Sequence, residues 1–140
     1  MTLYKRIMLA EDDEDDKWIF TEIMKGFIAN DKIHFDAVDN GLQIIQALEN
    51  NAELPDLVIL DQNMPQMNGK ETLELIKKSD RFNHIPVVIY STYNDSRLSN
   101  ECFDIGATQI ITKPDTFEGF KEMIEMLVKK YCKEDVGSKK

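Results

Sequence analysis

Five short apolar runs alternate along this chain with five segments whose apolar residues fall at helical spacing. The runs lie at Tyr4 to Ala10, Ile33 to Val38, Leu57 to Leu60, Pro86 to Tyr90 and Gln109 to Thr112. Leu57-Val58-Ile59-Leu60 is too short for a helix and apolar throughout. That is the pattern of a strand buried on both faces, as in a parallel sheet. The intervening segments place apolar residues on single helical faces. These are Phe20, Ile23, Met24 and Phe27 between Asp13 and Ile28; Leu42, Ile44, Ile45 and Leu48 before Asn50; and Leu73 and Ile76 before Lys78. Leu98 and Cys102 follow, then Phe117, Phe120, Ile124, Leu127 and Val128. Asn68, the Asn94-Asp95-Ser96 stretch and Asp115-Thr116 are helix starts, and Gly106 is a helix stop. Strict alternation of strand and helix predicts a parallel sheet with helices on both faces and right-handed crossovers.

The chain has 140 residues, enough for one domain with a real core. With 42% hydrophobic and 31% charged residues it reads as globular rather than disordered. A net charge of -9 argues against direct binding to nucleic acid or to an anionic membrane, both of which call for a basic surface. No apolar run approaches the roughly 18 residues of a membrane span. The first residues lack the apolar segment of a signal peptide, so the expected location is cytoplasmic. Cys102 and Cys132 form no CxxC pattern and read as free thiols. His34 and His84 are too scattered for a histidine metal site.

In a parallel sheet the carboxyl ends of all strands share one edge, where open α/β folds bind ligands. Glu11, Asp12 and Asp13 follow the first run, Asp61 the third, Ser91 and Thr92 the fourth, and Lys113 the fifth. Oxygen donors of this kind suit a hard divalent cation such as Mg2+. Asp12 and Asp61 are candidate direct ligands, with Glu11 acting through water and the Asn63 backbone carbonyl completing the set. Neither GxxxxGK[ST] nor GxGxxG occurs, which argues against a nucleotide site. A carboxylate beside magnesium can attack phosphorus to give an aspartyl phosphate. Lys113 would then offset charge on the transferring oxygens, and Ser91 would bond one of them.

Glu11-Asp12, Asp61 in a Leu-Asp-x-x-Met-Pro setting, Ser91 and Lys113-Pro114, taken in order, resemble the receiver domain of bacterial response regulators, the CheY-like family. The resemblance covers about Lys5 to Tyr131 and implies a (βα)5 flavodoxin-like fold with strand order 2-1-3-4-5. It also implies one receiver domain over residues 1–132 and a polar tail over 133–140. Asp61 matches the phosphoacceptor, Glu11 and Asp12 the magnesium-holding acids, and Asn63 the position whose carbonyl reaches the metal. Ser91 matches the switch hydroxyl, Lys113 the phosphate-contacting lysine, and Pro114 the proline after a cis peptide bond. Asp13 is read as opening the first helix, and Asp13 to Asp16 mostly as helix surface.

The implied function is a phosphorelay module charged by a sensor histidine kinase or histidine phosphotransfer protein. It would not turn over substrate as an ordinary enzyme does, beyond magnesium-dependent self-phosphorylation and slow autodephosphorylation. It would act on a downstream protein through the surface of the fourth helix, fifth strand and fifth helix, which is also where a homodimer would form. Trp18, on the first helix, is a candidate contact for the phosphodonor. One departure stands out: the family's aromatic switch position falls on Ile110, so the switch is expected to rest on the loop after Ser91, including Thr92, and on the helix that follows. Tyr93, two residues past Ser91, and Asn63, two past Asp61, occupy positions that resemble the family's tuners of dephosphorylation. Two alternatives compete. A haloacid-dehalogenase-like phosphatase calls for a second acid where Asn63 stands. A receiver-like scaffold that is never phosphorylated has no use for the full acid, hydroxyl and lysine set.

Overall fold

The computed structural model describes residues 5–31, 33–93 and 95–132. The expected tail over 133–140 lies outside the described residues. The elements are β1 (Lys5–Ala10), α1 (Glu14–Asp31), β2 (Ile33–Val38), α2 (Gly41–Asn50) and β3 (Leu57–Asp61), then α3 (Gly69–Lys78), β4 (Val87–Ser91), α4 (Ser96–Ile105), β5 (Gln109–Thr112) and α5 (Phe117–Tyr131). The sheet is parallel throughout, with strand order β2-β1-β3-β4-β5. This is the flavodoxin-like, CheY-like arrangement expected from the sequence.

Period-two alternation along the strands divides the core into two layers. Ile7, Leu9, Leu57, Ile59, Val88 and Tyr90 pack against Phe20 and Met24 of α1 and Phe120, Ile124 and Leu127 of α5. Met8, Ala10, Val58, Leu60, Val87 and Ile89 pack on the other side, against Ile44 and Leu48 of α2, Leu73 and Ile76 of α3 and Cys102 of α4. Strands covered on both faces have no solvated side, so β3 and β4 are buried at every position.

Local chemistry sets the helix ends. Asn68 and Glu71 form a reciprocal capping box at the start of α3. Asn40, Asp95 and Thr116 each accept a backbone N–H at the start of α2, α4 and α5. Gly106 ends α4 at φ 129°, a left-handed conformation that favours glycine. At the start of α2, Gly41 lies against α3 so closely that an added Cβ would stand 1.8 Å from Thr72 Oγ1.

Some expected core positions face outward. Leu42 is 42% exposed and Phe117 47%, because each sits in the first turn of its helix beyond the edge of the apolar stripe. The Lys113–Pro114 bond, expected cis, is trans, since no cis peptide bond occurs among the described residues. The trans form is the lower-energy isomer before proline by about 0.5–1 kcal/mol. Cys102 and Cys132 are free and buried, as expected. Among the described residues no helix is long and apolar enough to cross a membrane.

Candidate functional site

Strand register assembles the site. Ala10 is paired with Leu60, Asp61 with Tyr90, and Ser91 with Thr112. The residues that end these strands therefore meet at one edge, and alternation sorts them by face. Glu11, Asp61, Tyr90 and Lys113 continue the positions that face α1 and α5. Ser91 and Ile110 fall on the opposite face, toward α2, α3 and α4.

The charged cluster is compact. Glu11, Asp12 and Asp61 each offer a carboxylate oxygen within 4.8 Å of the others. Glu11 and Asp61 are buried, at 0% and 3% exposure, while Asp12 is exposed. Lys113 Nζ stands 3.0 Å from Glu11 Oε1 and 3.3 Å from Asp61 Oδ2. The backbone contributes as well: Lys113 N–H donates to the Ser91 carbonyl at 2.9 Å, tying the start of this loop to β4. The Asn63 N–H donates to Asp61 Oδ1 at 3.4 Å and the Asp13 N–H to Glu11 Oε2 at 3.0 Å.

Burial, followed by the adjoining Glu11 carboxylate, pushes Asp61 up from its ordinary 3.8 to about 7, against the opposing pull of Lys113. Burial works to lower the Lys113 ammonium, but Glu11, Asp16 and Asp61 outweigh it and hold the group firmly protonated. Three converging carboxylates with a single cation between them carry excess negative charge in a partly desolvated cleft. That donor set fits a hard divalent cation, which prefers carboxylate oxygens and retains water. Glu11, Asp12 and Asp61 are the residues that would hold it.

Two participants were not apparent from the sequence. Asp16, read as helix surface, is turned inward from α1, and its Oδ2 lies 3.0 Å from Lys113 Nζ. Nothing within the acidic run from Glu11 to Asp16 sets it apart from its neighbours. Tyr90, read as core, donates its hydroxyl to Glu11 Oε1. The Lys113 ammonium sits 5.0 Å from the centre of its ring. A fully buried tyrosine at a strand end calls for a hydroxyl partner, and that was the available clue. Asp13 behaves as expected, accepting the Asp16 N–H at 3.0 Å at the start of α1.

The expected switch residues are placed differently from the charged cluster. Ser91 is buried, and its hydroxyl donates to the Tyr93 carbonyl at 3.0 Å and accepts the Tyr93 N–H at 3.3 Å. Thr92 is exposed, and Tyr93 is 79% exposed. Ile110 is partly buried against the α2–α4 layer.

The family model for the response regulator receiver domain matches residues 7–125. Among curated proteins, the two-component response regulator ORR5 of Oryza sativa subsp. japonica is 33% identical over 100 residues, covering 71% of this chain and 74% of its own. Among solved structures, the phosphorylated cyanobacterial phytochrome response regulator RcpA superposes with a TM-score of 0.84 at 26% identity, over 91% of this chain and 94% of its own. The receiver domain of the Pseudomonas aeruginosa sensor histidine kinase PA1611 shares the fold at a TM-score of 0.72 and 16% identity, over 89% of this chain and 98% of its own. With the strand order, the acidic cleft and these matches in agreement, the chain belongs to the response regulator receiver domain family.

Proposed function

We propose that Asp61 accepts a phosphoryl group from a phosphohistidine and that the resulting aspartyl phosphate switches a protein-binding surface. The observation that carries this reading is the environment of Asp61: a buried carboxylate at the end of β3, 3.3 Å from the Lys113 ammonium and within 4.8 Å of two further acids. A neutral carboxyl is a poor nucleophile, and burial beside Glu11 pushes Asp61 up to about 7. Magnesium bound by Glu11, Asp12, Asp61 and the Asn63 carbonyl would favour the ionised form and offset charge on the transferring oxygens. The structure of the PA1611 receiver domain has a magnesium ion coordinated in its active-site cleft, which supports the choice of metal.

In this reading a carboxylate oxygen of Asp61 attacks phosphorus in line with the departing nitrogen. Lys113 donates to a phosphoryl oxygen, and the Ser91 hydroxyl exchanges its bond to the Tyr93 carbonyl for another. With Ile110 in place of an aromatic lever, the β4–α4 loop through Thr92 and the helix after it carry the change. In this reading the bulk of exposed Tyr93 hinders the hydrolytic water, so Tyr93→Ala shortens the phosphoryl lifetime. The donor is a sensor histidine kinase or histidine phosphotransfer protein, with exposed Trp18 of α1 as a contact. The receiver comprises residues 1–132, and the output is a downstream cytoplasmic protein or a second copy bound through α4, β5 and α5.

The test is intact mass after incubation with acetyl phosphate and Mg2+. Wild type gains one phosphoryl mass and Asp61→Asn gains none. An unchanged wild-type mass turns the assignment to a receiver-like scaffold.

A further inference from the structure

Lys113 is held by more groups than phosphoryl chemistry requires. Three carboxylate oxygens surround its ammonium: Glu11 Oε1 at 3.0 Å, Asp16 Oδ2 at 3.0 Å and Asp61 Oδ2 at 3.3 Å. An ammonium has three N–H donors and no more. Asp16 and Asp61 accept hydrogen bonds from it and Glu11 is ion-paired with it, so a phosphoryl oxygen competes with groups already in place. Asp61 is the most distant of the three. It is also the group whose charge is consumed when its oxygen becomes bonded to phosphorus.

We infer that Asp16 is a positioning residue: with Glu11 it retains the Lys113 ammonium at the cleft while the Asp61 arm is exchanged for a phosphoryl oxygen. The inference rests on Asp61 being the acceptor. Its physical basis is side-chain entropy. A free lysine side chain has many rotamers, and a group already fixed at the reacting centre does not lose that freedom during the reaction. The Lys113 side chain is only 11% exposed and the Asp16 side chain 24%, so water screens the pair little. The Tyr90 ring adds a further contact, 5.0 Å from the ammonium, and its hydroxyl holds Glu11. Asp16 belongs to the first turn of α1 and Lys113 to the loop between β5 and α5, so the pair ties the start of α1 to the loop that leads into α5.

Two readouts test this on the full chain with Asp16→Ala and Asp16→Asn. The first is the Lys113 ammonium resonance by 15N-detected NMR, with no phosphodonor present. Wild type shows a signal protected from water exchange, Asp16→Ala loses it, and Asp16→Asn, which keeps an acceptor, retains part. The second is phosphorylation by acetyl phosphate at saturating Mg2+. An Asp61 oxygen forms its bond to phosphorus as the bond to the acetate oxygen breaks, and acetate leaves with that electron pair. Asp16→Ala lowers kcat about tenfold or more, while KM is unchanged or falls because a negative charge has been removed. An undiminished ammonium signal in folded Asp16→Ala, or wild-type kcat, overturns the inference. A wild type that gains no phosphoryl mass overturns the Asp61 assignment instead, and the ammonium signal still decides whether Asp16 fixes the lysine.

Discussion

Asp61 carries an unfavourable charge in the metal-free protein. A carboxyl that binds its proton more tightly folded than unfolded contributes stability below about pH 4 and loses it as pH rises toward 7, because the folded state holds the extra proton. In EDTA at pH 8, Asp61→Asn is therefore more stable than wild type by about 1 kcal/mol, or about 3–5 °C in Tm. That advantage shrinks between pH 7 and pH 4. Thermal scans across this range check it, and a variant less stable than wild type at pH 8 contradicts it. Tyr90 and Lys113 act in the opposite sense, since both satisfy the buried Glu11. Burial, and then the charge of Glu11, raises the Tyr90 phenol well above its ordinary value, so it remains a hydrogen-bond donor throughout this range.

Among the elements, the α2–α3 contact is the tightest around a glycine. A Cβ on Gly41 would meet Thr72 Oγ1 at 1.8 Å and the Met67 carbonyl at 3.1 Å. Thr72 cannot turn away without losing its hydrogen bond to the Asn68 carbonyl at 2.8 Å. Gly41→Ala thus costs about 1–3 kcal/mol by overpacking. The Gly41→Ala/Thr72→Ala pair is less destabilised than the sum of the single changes, and denaturant midpoints measure the coupling. The β4–α4 connection behaves differently. The Ser91 hydroxyl bonds the backbone of Tyr93 in its own loop, and the exposed Thr92 and Tyr93 have little packing to oppose movement. Adding beryllofluoride and Mg2+ should shift amide resonances from Ser91 to Phe103 and leave those of α2 nearly unchanged. Silence between Ser91 and Phe103 rules out this loop as the switch.

For the molecule as a whole, the cleft joins elements far apart in the chain. Glu11 and Asp12 end β1, Asp61 ends β3 and Lys113 follows β5, so a cation held there by the folded state alone stabilises the entire domain. Mg2+ at 100 times its Kd adds about 2.7 kcal/mol. The Tm of wild type rises with the logarithm of magnesium concentration. That rise disappears in Asp12→Ala, whose exposed side chain can be removed with little cost to the core. A magnesium response retained in full by Asp12→Ala refutes this ligand set.

The five strands, the five helices and most caps were legible in the sequence because each depends on local periodicity and a few terminal residues. The parallel pairing followed from the alternation, and with it the meeting of Glu11, Asp61 and Lys113 at one edge. Phe117 and Leu42 departed from the pattern because a helical stripe does not say where the sheet beneath it ends. The roles of Asp16 and Tyr90 were decided only by tertiary structure. Asp16 is one acid in a run of six residues, all of them Asp or Glu, and nothing local distinguishes the one that turns inward. What distinguishes it is the Lys113 ammonium, ninety-seven residues away in the chain and 3.0 Å away in space. Asp61, by contrast, could be located from its strand alone. Its proton affinity depends on the neighbours that strand register brings, because burial and a second carboxylate act through space and not along the chain.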